Sequence, residues 1–220
     1  MKFKNLVTAA LLASSVALSL NVHASVVTSN AGFNIVEDFE SFDGLVTKGP
    51  QALSNGLSVQ SDIYSTIGAF AVDLVNNGTW GAGNNFAGIG DLSFLPTTDE
   101  GFLGSITFNF GSNQTGVGAL FSIFKDDSTT GEITIEALDA SQNVLETTTF
   151  SVDFNDPFLT NAGLFYGFTS NSANIASLRV SGDGFVVDNI STQAVPVPGA
   201  LIFMLSGIVG LFARRRSISA

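Results

Sequence analysis

One segment of the sequence concentrates the residue types that bind sugars. Residues 76–91 read NNGTWGAGNNFAGIGD and contain the only Trp of the chain. An aromatic ring stacks on the apolar face of a sugar, while amide groups bind its hydroxyls. The alternative is that the aromatic side chains fix a long loop onto the protein core. The candidate ligand-binding residues are Trp80, Asn84, Asn85 and Phe86.

Catalytic side chains are scarce in this sequence. The chain has no Cys and a single His, His23, so thiolate nucleophiles, disulfides and His-based triads are excluded from the rest of the protein. Glycosidases need only two carboxylates at a suitable separation, and the chain has 19 acidic residues. No spacing in the sequence pairs any two of them. We therefore expect the protein not to be an enzyme.

The charge distribution is strongly asymmetric. Residues 25–195 contain three basic residues against 19 acidic ones, which gives a formal charge of −16. Such a surface repels nucleic-acid phosphates and anionic lipid headgroups. We expect no nucleic-acid partner, and divalent cations are the favoured inorganic ligands.

The N-terminal segment has the layout of a secretory signal peptide. Lys2 and Lys4 precede an apolar run over residues 6–20, and Val22-His23-Ala24 is a cleavage site of the small-x-small type. We predict a signal peptide over residues 1–24, with cleavage between Ala24 and Ser25. A short membrane anchor is the alternative, but the run is shorter than the roughly 20 residues that span a bilayer comfortably.

The C-terminal segment VPVPGALIFMLSGIVGLFARRR is apolar and ends in three arginines. A helix over residues 199–213 would be about 22 Å long at about 1.5 Å per residue, enough to cross a thin bilayer. Positive charges stay on the cytoplasmic side, so the acidic domain would lie outside. We predict a membrane helix over 199–213, followed by a cytoplasmic arginine cluster and a short tail over 217–220. The arginines of the cluster are Arg214, Arg215 and Arg216.

This tail resembles the PEP-CTERM sorting signal, in which a Pro-Glu-Pro motif, an apolar helix and an Arg cluster follow one another. The matching segment is 195–216, with Pro196, Val197 and Pro198 at the motif. The resemblance implies an inner-membrane precursor in a Gram-negative bacterium, an exosortase partner, and delivery to the cell surface or to an extracellular matrix containing exopolysaccharide. Val197 replaces the usual Glu, so the alternative is an unprocessed anchor.

The pattern between the two terminal segments is β throughout. Apolar and polar residues alternate in 106–110 and 133–137, as in strands with one buried face. About ten such segments, separated by Gly- and Asn-rich turns, predict an all-β, two-sheet antiparallel sandwich over residues 25–194. A jelly roll is the preferred topology. We expect a hairpin between 133–138 and 144–152, and a terminal strand pair within 174–191.

The stretches NIVEDFESF and GFVVDNIS resemble parts of galactose-binding-like jelly-roll modules. In such modules a structural calcium often lies where the first strand meets the last. The resemblance therefore implies candidate calcium ligands, and no other cofactor is required. The alternative is that these carboxylates are solvated residues at strand edges. The candidates are Glu37, Asp38, Glu40 and Asp188.

Two non-catalytic functions follow from these expectations. The first is a structural or adhesive component of the cell surface or extracellular matrix. The second is a carbohydrate-binding module that acts on secreted polysaccharide, with possible dependence on calcium. A sorting tail determines destination only, so it does not choose between them.

Overall fold

The computed structural model describes residues 23–69, 85–90, 103–123, 131–151 and 163–193. These residues form fourteen strands and one 3₁₀ turn, Ser54–Gly56. The strands are β1 (Ala24–Val27), β2 (Phe33–Glu37), β3 (Leu45–Thr47), β4 (Gln51–Ala52), β5 (Ser58–Ser61), β6 (Ser65–Ala69), β7 (Phe86–Ile89), β8 (Leu103–Gln114), β9 (Gly116–Ile123), β10 (Glu132–Leu138), β11 (Val144–Ser151), β12 (Leu164–Ser170), β13 (Ile175–Asp183) and β14 (Phe185–Gln193).

The strands form two antiparallel sheets that pack as a sandwich, which confirms the predicted all-β architecture. The eight-stranded sheet has the order β1-β12-β9-β14-β7-β6-β3, and β2 also pairs with β14. The six-stranded sheet has the order β11-β10-β13-β8-β5-β4. The inner faces of both sheets supply one core of Ile, Val, Leu and Phe side chains. At one edge of this core the rings of Phe150 and Tyr166 stack, with centroids 3.7 Å apart.

The predicted hairpin is present as β10 and β11, which pair from Glu132 opposite Ser151 to Leu138 opposite Val144. The two strands expected within 174–191 are present as β13 and β14, but they do not pair with each other. β13 pairs with β10 and β8 in the six-stranded sheet, whereas β14 pairs with β9, β7 and β2 in the other. Gly184 separates the two strands at φ +64°, a conformation that glycine adopts without steric cost. The chain therefore changes sheets at this glycine.

Most of the two terminal predictions lie outside the described residues, because these begin at His23 and end at Gln193. The cleavage-site residue Ala24 is the first residue of β1, and it is buried opposite Ser170. Ser25 follows in the same strand, opposite Thr169. Within the described part of the chain, no helix is long and apolar enough to cross a membrane.

Candidate functional site

The outer face of the six-stranded sheet is built from polar side chains in aligned rows. Strand alternation turns Ile106 and Phe108 of β8 into the core, which leaves the residues between them on the outside. The strand register then joins one such residue from each of five neighbouring strands. This central row is Gln60, Thr107, Arg179, Glu136 and Thr147.

A second row crosses the same face beside the central one. Ser105 of β8 lies opposite Ser181 of β13, which is opposite Thr134 of β10. Thr134 in turn faces Thr149 of β11, and their hydroxyl oxygens are 2.7 Å apart. The face therefore presents hydroxyl groups over a width of several strands.

A groove of about 500 Å³ lies on this face. Its walls come from β5, β8 and β13, and from the Gln142 side chain in the β10–β11 turn. Polar side chains predominate along it. The lining residues are Gln60, Ser61, Asp62, Ser105, Thr107, Asn109, Gln142 and Arg179.

Hydrogen bonds hold the side chains at one end of the groove in fixed positions. Gln142 Nε2 donates to Ser177 Oγ at 3.1 Å, and Ser177 Oγ donates to Asn109 Oδ1 at 2.9 Å. Ser177 is 1% exposed, so its hydroxyl connects the turn to β8 beneath the surface. Fixed amide and hydroxyl groups reduce the side-chain entropy that a bound ligand would otherwise have to remove.

The charges of the groove are compensated by partners within the protein. Arg179 Nη2 lies 2.6 Å from Glu136 Oε2, and Arg179 Nε donates to the same oxygen at 2.6 Å. The carboxylate of Asp62 accepts hydrogen bonds from Ser105 N at 2.7 Å and from Ser105 Oγ at 3.0 Å. The groove is consequently suited to a ligand that exchanges many neutral hydrogen bonds.

The structure places the predicted calcium ligands near the pairing of β2 with β14, where Glu37 lies opposite Ile190. Glu37 accepts hydrogen bonds from the backbone N–H groups of Phe39 and Ser54. The described residues contain no group of three or more His, Cys, Asp or Glu side chains that could hold a metal ion. The structure therefore does not assemble the four carboxylates into such a group.

The other three predicted ligands also accept hydrogen bonds from backbone N–H groups. Asp38 accepts from Glu40 N at 3.2 Å, and Glu40 accepts from Asn85 N at 2.7 Å. Asp188 is 1% exposed and accepts from Asn189 N at 2.6 Å. These contacts give the carboxylates a structural role in the turns that surround β2 and β14.

Two of the predicted sugar-binding residues, Trp80 and Asn84, lie outside the described residues. Asn85 is engaged with the protein itself, since its Nδ2 donates to Phe42 O at 2.8 Å. Phe86 begins β7 and is 1% exposed, so its ring offers no accessible face for stacking on a sugar. Phe86 belongs to the sheet opposite the groove, and Asn85 directly precedes it.

The groove was not predicted from the sequence, although the sequence does indicate that some of its lining residues face outward. The alternation in 106–110 identifies Thr107 and Asn109 as outward-facing. What the sequence does not show is that Gln60 and Arg179, from distant segments, flank the same position of β8.

No protein-family model matches this chain, and comparison with curated proteins likewise finds no match.

Proposed function

We propose that this chain is an exported, non-catalytic surface or matrix protein that an exosortase sorts through its C-terminal tail. The described strands run from Ala24 to Gln193. Apart from Ala24, which cleavage before Ser25 would remove from β1, the sandwich lies between the two terminal segments. This arrangement supports the proposal because a sorting tail must leave the delivered domain complete. A jelly-roll topology, the inner-membrane precursor and the Gram-negative host belong to the same proposal.

Mass spectrometry of the mature protein from its own host tests this proposal. We expect an N-terminus at Ser25 and a C-terminus close to Val195–Pro198. Replacing Arg214, Arg215 and Arg216 by Gln should reduce the processed surface form, because placing each arginine in the hydrocarbon costs about 2.5–3.5 kcal/mol on insertion scales. Replacing Ser217 and Ser219 by Gln is the matched control.

An intact C-terminus at Ala220 on membrane-bound protein would reject sorting and leave an anchored surface protein. Recovery of the protein from the cytoplasm with Met1 retained would reject export altogether.

A second function, binding of extracellular polysaccharide, is favoured by the groove on the six-stranded sheet. Its lining offers amide and hydroxyl groups, with Asn109 and Gln142 at one end and Thr107 at the centre. A polyhydroxylated chain can exchange its hydrogen bonds with water for bonds to such groups at little net cost. The sugar-binding role of the segment around Trp80 is the alternative location for the same function.

A glycan array, probed with calcium and then with a chelator, tests the second function. Gln60→Ala should weaken binding roughly fivefold, since a lost hydrogen bond contributes about 1 kcal/mol. Gln51→Ala on the neighbouring strand β4 is the matched control, because Gln51 is not among the residues that line the groove. Equal affinities of the two variants would exclude the groove as the binding site.

A further inference from the structure

The two ends of the described chain lie at the same end of the eight-stranded sheet, on β1 and β14, with β12 and β9 between them. Ala24 in β1 lies opposite Ser170 in β12. Ser170 N donates a hydrogen bond of 2.7 Å to Thr115 O, and Thr115 Oγ1 donates one of 3.3 Å to Gln193 O. The predicted signal peptide and the predicted membrane helix therefore join the domain at the same end of this sheet.

In the eight-stranded sheet, the strands that meet at this end carry no charge. Residues 23–36, 116–123, 163–170 and 189–193 contain no Asp, Glu, Lys or Arg. These segments include the whole of β1, β9 and β12. An acidic protein is repelled by an anionic bilayer, and the repulsion is weakest where its own charges are most distant.

Beside Gln193 the uncharged region has an apolar patch, formed by Phe33, Ile35 and Phe165 on the outer face of the eight-stranded sheet. Phe33 lies opposite Gln193 in the β2–β14 pairing, and Ile35 is 59% exposed. The rings of Phe33 and Phe165 meet edge to face, with centroids 5.2 Å apart. Phe33 and Phe165 are half-buried. The apolar surface that the three side chains still expose is more favourable against lipid than against water.

Glycine on β9 creates the space that the patch occupies. A Cβ atom added at Gly118 would lie 2.6 Å from Phe165 Cζ, so the ring lies directly against the backbone of β9. A Cβ at Gly116 would lie 3.2 Å from Phe33 Cε1. The two aromatic rings thus cover the backbone of β9 at these glycines, and a larger residue at either position would push the rings outward.

The length of the connecting chain limits how far this patch can be from a membrane. Only residues 194–198 separate Gln193 from the apolar segment 199–213. Five residues span at most about 17 Å when fully extended. If the tail anchors the precursor, the end of β14 is therefore held near the bilayer surface.

We propose that the apolar patch of Phe33, Ile35 and Phe165 rests on the lipid surface in the anchored precursor. The inference depends on the proposed anchoring by the tail. It orients the domain, because the uncharged strands β1, β9 and β12 of the same sheet then lie nearest the bilayer. In the six-stranded sheet, Glu132 and Asp183 are at the end opposite Gln114 and Ile175, whereas Asp139, which follows β10, is at the same end as Ile175.

Site-specific fluorescence on the full-length chain tests this orientation. The chain has no native Cys, so Ile35→Cys and, separately, Leu103→Cys each provide a single labelling site. Leu103 is the matched control, because it is also an exposed apolar strand residue, 74% accessible, but pairs with Asp183 at the opposite end of the molecule. Each labelled protein is reconstituted into vesicles of phosphatidylethanolamine and phosphatidylglycerol that contain a headgroup quencher.

We expect the proteins to float with the vesicles, and the label at position 35 to be quenched several-fold more than the label at position 103. If the proteins float but the two labels are quenched equally, the proposed contact of the patch with lipid is wrong, whereas the proposed anchoring by the tail stands. Failure to float would overturn the proposed anchoring and the lipid contact together.

Discussion

Glu37 joins β2 to the 3₁₀ turn through Ser54, whose backbone N–H donates a hydrogen bond of 2.7 Å to Glu37 Oε2. The other carboxylate oxygen accepts a hydrogen bond of 2.8 Å from Phe39 N. Glu37 is only 2% exposed, so its bond from Phe39 N is buried, whereas its bond from Ser54 N is partly buried. A buried carboxylate with two backbone donors is a structural acceptor that determines how two segments meet.

We expect Glu37→Ala to lower the free energy of unfolding by about 2–4 kcal/mol, because it leaves two backbone N–H groups without their acceptor. Urea unfolding of the wild-type and variant proteins measures the change. Glu40→Ala is the control, since Glu40 is exposed and accepts a hydrogen bond from Asn85 N. Similar losses in the two variants would mean that burial of the Glu37 contacts contributes nothing.

The sequence pattern within short segments was sufficient to predict the sandwich. The alternation of apolar and polar residues and the Gly- and Asn-rich turns can each be recognised within a few neighbouring residues. The β10–β11 hairpin needs only two neighbouring alternating segments and the turn between them. The same reasoning failed at Gly184, where the strands on either side are close in sequence but belong to different sheets. Sheet membership depends on long-range pairing, which one sequence does not reveal.

The candidate sites show the same limit. Predicting the groove would have required the register that places Gln60 and Arg179 on either side of Thr107. Phe39 is a further example, because it is fully buried with φ +59°, which is unusual for a bulky residue. Its conformation accompanies the bond to Glu37 and the packing of its ring against Phe108, neither of which follows from local propensity.

Gly68 and Gly56 provide a matched pair, since both have φ +76° but their surroundings differ. A Cβ at Gly68 would lie 2.4 Å from the Phe42 backbone, whereas a Cβ at Gly56 would meet nothing within 4 Å. We expect Gly56→Ala to cost about 1–2 kcal/mol from backbone strain alone. Gly68→Ala should cost about 1–3 kcal/mol more, because the chain must move to relieve the overlap.

Chemical denaturation of the two alanine variants measures this difference. Equal losses of unfolding free energy in the two variants would show that the backbone at Phe42 can move away from the added methyl group without a free-energy cost.

Asp139 controls the β10–β11 turn through its carboxylate. Oδ1 accepts hydrogen bonds from Ser141 N at 2.8 Å and Asn143 N at 2.9 Å, and Oδ2 accepts one from Asn143 Nδ2 at 3.0 Å. The bond from the Asn143 side chain, followed by the backbone bonds, holds the pKa of Asp139 below its ordinary value of 3.8. Protonation therefore removes acceptors that the folded turn uses.

The lowered pKa fixes the sign of the pH dependence. The stabilising contribution of Asp139 is fully present above its ordinary value of 3.8, and it is lost as the pH falls through the lower pKa of the folded state. We expect wild-type protein to melt at a higher temperature than Asp139→Asn near neutral pH, and the difference to shrink below that value. Thermal unfolding of both proteins across this range measures the effect. Glu146→Gln, on the same hairpin, controls for the removal of one negative charge. A difference in melting temperature that persists unchanged into strong acid would show that the ionised carboxylate does not stabilise the turn.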